Sequence, residues 1–430
     1  MRPETLRGRL RLCGMPVFIS GAILVLVAGP LNAQKEPDST RLVALVGARI
    51  YPSPEAGPLD DGVILIENGR IAVVGTRRIV AIPSDARLVD YSGKVMTAGF
   101  WNSHVHFTEP HWAGADTLAP STLSAQLQAM LTRYGFVRVL DTGSLLENTL
   151  AIRRRIDAGE VPGPAIRMTG SGFVPREASP FYILPDRLPE LRSAAEATAL
   201  VNRRIREGAD AIKLFTGSFA APTRIVPMPT AIVRAATAEA HRHQRAVIAH
   251  PSNNAGLAAA LDGGVDVLAH TTPDGGPWDA ALLRRMIGAR IALIPTLKLW
   301  TFELSRRGVD TAAVQEFLSV AVEQLRAYVR GGGDILFGTD VGYMTDYDPT
   351  DEYRYMQRAG MSFRQILAAL TTAPAQRFGR GQRTTGRLEK GMDADLVVLD
   401  GDPASDIRAL SRVRSVWREG RVISDPPHDH

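Results

Sequence analysis

The feature that most restricts the fold is an alternation repeated between Gly99 and Asp340. Strand-length apolar runs occur at Gly99–Phe107, Phe136–Thr142, Ala165–Gly170, Ala211–Thr216, Ala246–His250, Val265–His270, Arg290–Thr296 and Ile335–Asp340. Amphipathic stretches such as Ser121–Tyr134, Ser193–Glu207, Thr230–Gln244 and Ala312–Arg330 lie between them. Eight such β/α repeats predict a closed parallel (β/α)8 TIM barrel, an α/β fold. The alternative is an open doubly wound sheet, which is disfavoured because no Gly-rich nucleotide turn follows the first run. Outside the repeats the texture changes to short β runs and turns, from Arg41 to Val95 and again over Gly386–Leu399 and Val413–Ile423. Short β runs at both ends of a chain pair, which predicts one small discontinuous β domain around the repeats.

The polar residues that close these runs carry the chemistry. His104 and His106 flank Val105, so on a strand the two imidazoles share one face. A His-x-His alone is weak evidence of a metal site. His250 closes AVIAH, His270 closes VDVLAH, Asp340 closes ILFGTD, and Lys213 sits within AIKLFTG. The C-terminal strand ends of a parallel barrel converge on one face, so these distant residues meet around one cavity. Four of nine histidines at strand ends is hard to explain by packing and points to a divalent metal. Lys213 is one of only five lysines. Burial would leave its amine neutral, able to form a Schiff base, accept a proton or take up carbon dioxide as a carbamate. A buried lysine paired to a strand-end aspartate is the plain structural alternative.

Composition matters mainly at the N-terminus. Arg2, Arg7, Arg9 and Arg11 precede an apolar run from Met15 to Ala28, then Gly29, Pro30 and a small residue at Ala33. That order predicts a secretory signal peptide over residues 1–33; an uncleaved membrane anchor over residues 15–29 is the alternative. The mature protein is then exported, periplasmic or extracellular. Cleavage removes the single cysteine, Cys13, and lowers the formal charge from +5 to +2 by taking away those four arginines and Glu4. No disulfide framework or Cys-based metal site is open to the mature chain. A near-neutral chain without an aromatic-interleaved basic segment excludes nucleic acid as its partner, and a homo-oligomer stays open.

GFWNSHVHF, the strand-four Lys213, AHPS, LAHTT, FGTD and KGMDADLVVLDGDP together resemble the amidohydrolase superfamily, in particular its imidazolonepropionase-related and Xaa-Pro dipeptidase-like branch. One departure is Ala98-Gly99 and Asn102, where the family often has Pro-Gly and an acidic residue. The resemblance implies a (β/α)8 barrel over residues 97–383 and a β-sandwich from residues 34–96 and 384–430, the latter ending in a polar tail with His428 and His430. It also implies two divalent metals, zinc by preference. His104, His106 and Asp340 would hold the more buried one, His250 and His270 the second, and an N-carboxylated Lys213 would bridge them. A metal-bridging hydroxide would attack the carbonyl, with Asp340 as general base and then acid.

The resulting expectation is a hydrolase of carbon–nitrogen amide bonds acting on a dipeptide or N-acyl amino acid. A lactonase or cyclic-amide hydrolase uses the same machinery, and a non-catalytic secreted binding protein is the alternative of another class. For the substrate, Arg224 in the loop after the strand-four run is a candidate carboxylate clamp. Trp112 and Trp300 are candidate pocket walls, together with Phe173, Phe215 and Trp278. His241 and His243 lie on the helix before strand five, away from the cavity end. His111 is at most a residue behind the ligands.

Overall fold

The structure is a computed structural model, and it describes residues 42–379 and 384–425. The expected signal or anchor, Cys13 and the terminal His428 and His430 lie outside the described residues. None of the described helices is long and apolar enough to cross a membrane.

Strands β1 (Val43–Tyr51), β2 (Leu59–Glu67), β3 (Arg70–Thr76), β4 (Arg87–Asp90) and β5 (Val95–Ala98) come first. They are followed by β6 (Phe100–Val105), β7 (Phe136–Asp141) and β8 (Ala165–Met168), then by the short pair β9 (Val174–Pro175) and β10 (Glu190–Leu191). Next come β11 (Ile212–Phe215), the hairpin β12 (Gly217–Ala221) and β13 (Arg224–Pro227), and β14 (Val247–His250). After them stand β15 (Val267–Ala269), β16 (Ala292–Ile294) and β17 (Asp334–Ile335), and the chain closes with β18 (Leu396–Leu399), β19 (Val413–Arg418) and β20 (Arg421–Ser424).

β5 pairs with β1 on one side and with β18 on the other, so strands from both chain ends share one eight-stranded sheet. Alternate residues of this sheet, such as Leu45, Ile64, Met96, Leu396 and Trp417, pack into one apolar cluster, while Ala44, Val63 and Leu65 face another.

The middle of the chain forms two parallel sheets, β6-β7-β8 and β11-β14-β15-β16-β17. Backbone contacts join them at both edges: a parallel bridge between Val105 and Val341 on one side, and one between Phe173 and Leu214 on the other. The Ser103 amide donates to the Phe337 carbonyl at 2.8 Å, and the Phe173 amide donates to the Lys213 carbonyl at 2.9 Å. Such strands are apolar on both faces because helices cover one side and the interior fills the other. Ile212 and Leu214 of β11 pack among strands and helices, while Ala211 joins Ile248, Val267 and Ile294 inside. Two-residue alternation therefore turns Lys213 inward.

Several of the intervening helices begin on side-chain caps. Ser193 accepts from the Glu196 amide, Asn253 from Gly256 and Asp279 from Leu282, each satisfying a free first-turn N–H. The apolar runs overshoot the ladder at their C-terminal ends. His270 and Asp340 leave the strands in left-handed conformations, φ 73° and 63°, and Thr296 does so at 43°. For residues with a Cβ this backbone costs roughly 1–3 kcal/mol, a strain that clusters at functional sites.

Candidate metal centre

The strand ends open on a cavity of about 410 Å³, lined by His104, His106, Lys213, His250, His270 and Asp340 among others. His104 and His106 leave an irregular stretch of β6, where the register against β7 shifts between Asn102 and Val105. Val105 itself stays in the core. Asp340 Oδ1 lies 3.2 Å from His104 Nε2 and 2.9 Å from His106 Nε2. Lys213 Nζ lies 3.5 Å from His104 Nε2. The rings of His104 and His270 are 4.9 Å apart, and those of His270 and His250 are 4.7 Å apart. The six side chains thus form one continuous cluster.

Several groups hold it in place. Asn102 Nδ2 donates to Thr339 Oγ1 at 2.6 Å, and its Oδ1 accepts from the amides of His104 and Thr339. It thereby ties β6 to the segment carrying Asp340. Thr296 Oγ1 sits 2.6 Å from His270 Nδ1 and fixes that ring. Phe215 lies against His250, with ring centres 4.9 Å apart.

Burial dominates the electrostatics. It pushes His104 and His250 down to about 3, helped in each case by the charge of Lys213. Burial likewise holds His270 well below the ordinary range, with His250 adding to the effect. These three imidazoles are therefore neutral donors near pH 7. Burial also lowers Lys213 to about 8, against the opposing pull of Asp340 and Asp141. For Asp340 burial opposes ionisation, but its contacts with His104 and the hydrogen bond from His106 prevail and keep it well below the usual range.

Neutral imidazoles beside an ionised carboxylate are the donor set a divalent first-row metal takes. His104, His106 and Asp340 offer ligand atoms within 4.8 Å of one another. His104 Nδ1 is moreover buried without a hydrogen-bond partner. The residues fit a metal ion.

Trp300 and Phe215 also line the cavity, and Trp300 Nε1 donates to Thr271 Oγ1 at 2.8 Å. The other expected contacts are not brought there. Trp112 is fully buried against Phe107 and His111, where it packs the loop after β6. Phe173 and Trp278 are core residues. Arg224 is exposed on β13, outside the cavity lining, because the hairpin carries it outward. His111 stands 4.0 Å from Glu109, outside the cavity lining. His241 pairs with Asp266 and His243 with Glu239.

Sequence reasoning did not find Thr296, Tyr182, Glu303, Arg307 or Tyr343, all but the first in the cavity lining. A polar residue ending the run ALIPT was a usable signal for Thr296. Glu303 and Arg307 stand four apart on a helical stretch, a spacing that carries no signal of a cavity.

Residues 95–423 match the Amidohydrolase family. The chain is 24% identical to ochratoxinase of Aspergillus niger, over 92% of this chain and 91% of that one. Among solved structures it resembles a putative prolidase from Bifidobacterium longum, with 26% identity, a TM-score of 0.77 and coverage of 91% and 96%. It also resembles a Xaa-Pro dipeptidase with bound methionine in its active site, at 19% identity and a TM-score of 0.78, covering 90% of this chain and all of that one. These likenesses carry a TIM-barrel-type α/β fold.

Proposed function

The chain belongs to the amidohydrolase family, metal-dependent hydrolases of C–N amide bonds, and from that premise we propose that it is an exported binuclear-metal enzyme. Its substrate on this reading is an N-acyl amino acid or dipeptide with a bulky apolar flank. One observation carries the proposal: six side chains from five strand segments meet in a single cavity.

In this assignment His104, His106 and Asp340 would hold one cation, and His250 and His270 the second. Lys213 would serve both as a carbamate, formed when the neutral amine adds carbon dioxide and loses a proton. Its low pKa supports that chemistry. Cations bound there, zinc by preference, supply Lewis acidity toward the scissile carbonyl and acidify water. Asp340 takes the proton from the attacking water and delivers it to the leaving amine. Phe181, Phe215, Trp300 and Phe317 give the cavity apolar walls that exclude bulk water and receive the flank of the amide. A prolidase and an ochratoxinase among the similar proteins support a small amide as substrate.

We assign residues 97–383 to a closed (β/α)8 barrel, residues 34–96 and 384–430 to a β-sandwich and a C-terminal tail, and residues 1–33 to an export signal. The proposal is tested by assaying a panel of dipeptides and N-acyl amino acids before and after chelation. Hydrolysis that disappears on chelation and returns with zinc is expected. Absence of hydrolysis across the panel in metal-loaded protein would refute it.

A further inference from the structure

The helix Leu297–Arg306 brings Glu303 to the cavity, and Arg307 follows directly after its end. Glu303 is buried, and both of its oxygens are engaged. Oε1 accepts from the Tyr343 hydroxyl at 2.9 Å and lies 2.7 Å from Arg306 Nη2. Oε2 accepts from Arg307 Nη2 at 2.9 Å. One carboxylate therefore answers two guanidiniums, and the trio keeps a surplus positive charge.

The two arginines are not equivalent. Arg306 is engaged on the protein side, donating to the Tyr343 hydroxyl at 3.1 Å and lying over the rings of Phe302 and Tyr343. It does not line the cavity, whereas Arg307 does. Arg307 is held at one edge by Glu303, while 54% of its side chain stays accessible. Arg307 shares the cavity lining with Tyr182 and Asp274. No ion pair joins it to Asp274 among the described residues. A guanidinium oriented by a buried carboxylate, with no other hydrogen bond to the described residues on its remaining N–H donors, is prepared for a second planar oxyanion. Tyr343 connects this wall to the metal cluster, since its amide donates to the carbonyl of Asp340.

We infer that Arg307 is a specificity-determining residue that receives a carboxylate of the substrate while the scissile amide lies at the histidine–aspartate cluster. The inference rests on the amide-hydrolase reading above and assigns to Arg307 the role expected of Arg224. The carboxylate belongs either to the amino acid released or to the acyl half.

Three amides separate these cases: N-benzoyl-L-phenylalanine, the monoamide of isophthalic acid with phenethylamine, and N-benzoylphenethylamine, which has no carboxylate. Their kcat/KM values are compared in the metal-loaded wild type, Arg307→Met and Arg307→Lys, with thermal melts to show that the variants fold. The wild type is expected to prefer one carboxylate-bearing amide over the neutral one by at least about tenfold, mainly through KM. Which of the two it prefers identifies the half that carries the anion. Arg307→Met collapses that ratio toward one, and Arg307→Lys retains part of it. An unchanged ratio in Arg307→Met, or no preference in the wild type, overturns the role of Arg307 and leaves the hydrolase reading standing. Wild type inert toward all three amides strikes the hydrolase reading and this inference together.

Discussion

At position 342 a side chain has no room. Gly342 has φ 89°, and a Cβ built there falls 1.8 Å from the carbonyl oxygen of His106. The turn after Asp340 thus packs on the backbone that carries a candidate ligand, and only glycine meets both demands. Gly342→Ala is expected to lower kcat by about tenfold or more and to destabilise the fold by roughly 1–3 kcal/mol, as read by steady-state kinetics and thermal melts. Asp340→Asn keeps the shape but removes the proton carrier. At least a loss of about a hundredfold in kcat is expected, with metal content maintained; near-normal turnover would remove Asp340 from its role. Part of this was legible in the sequence, because a histidine, lysine or aspartate ending an apolar run stands out against its neighbours. Which arginine reaches the cavity was not. Arg224 and Arg307 both follow strand runs, and only the course of the β12–β13 hairpin against that of the helix Leu297–Arg306 separates them. Trp112 shows the same limit, since an aromatic after a strand end packs a loop as readily as it lines a pocket.

At the scale of elements, the eight apolar runs correspond to parallel strands shorter than the pattern suggests. β17 covers only Asp334 and Ile335, although the apolar run continues to Asp340. Periodicity reports burial, and Leu336 and Phe337 are buried outside a regular ladder. The left-handed turns at His270 and Asp340 aim side chains without leaving a hydrophobic signature. A buried carboxyl between two elements yields a pH prediction. Glu352, on the helix Thr350–Arg358, accepts from the Lys298 amide at 2.8 Å, and its other oxygen has no partner. Burial pushes it up to about 7, against the weaker pull of the Lys298 and Leu297 amides and the Lys298 charge. The folded state therefore keeps a proton that the unfolded chain releases near 4.5. The stability this contributes is present below about pH 4.5 and is lost as pH rises through about 7. Glu352→Gln should abolish that slope, so that the variant gains roughly 1–3 kcal/mol on the wild type between pH 5 and pH 8 in denaturant titrations. Parallel slopes for the two proteins would contradict the assignment.

Over the whole molecule, the strands from the two chain ends are bound to the central sheets by more than chain connectivity. Arg138 of β7 lies 2.8 Å from Asp395 and 3.0 Å from Asp393, just before β18, and the Asp395 side chain is almost wholly buried. Arg138→Ala strands that carboxylate and is expected to cost about 3 kcal/mol, more than Arg138→Lys, in thermal or urea unfolding. That both ends would pair was legible from their shared β texture. The Arg138–Asp395 tie was not, because 257 residues separate the partners and no local pattern links them. The molecule as a whole serves to bring six side chains from five strand segments to one cavity, and the claim that they hold two metals for amide hydrolysis is open to a direct measurement. Metal content per chain is determined by mass spectrometry in the wild type and in Lys213→Ala, alongside hydrolysis of an N-acyl amino acid. The account predicts two divalent ions and turnover in the wild type, with both metal content and turnover reduced in Lys213→Ala. Two ions and full activity retained in Lys213→Ala, or turnover persisting in metal-free protein, would contradict it.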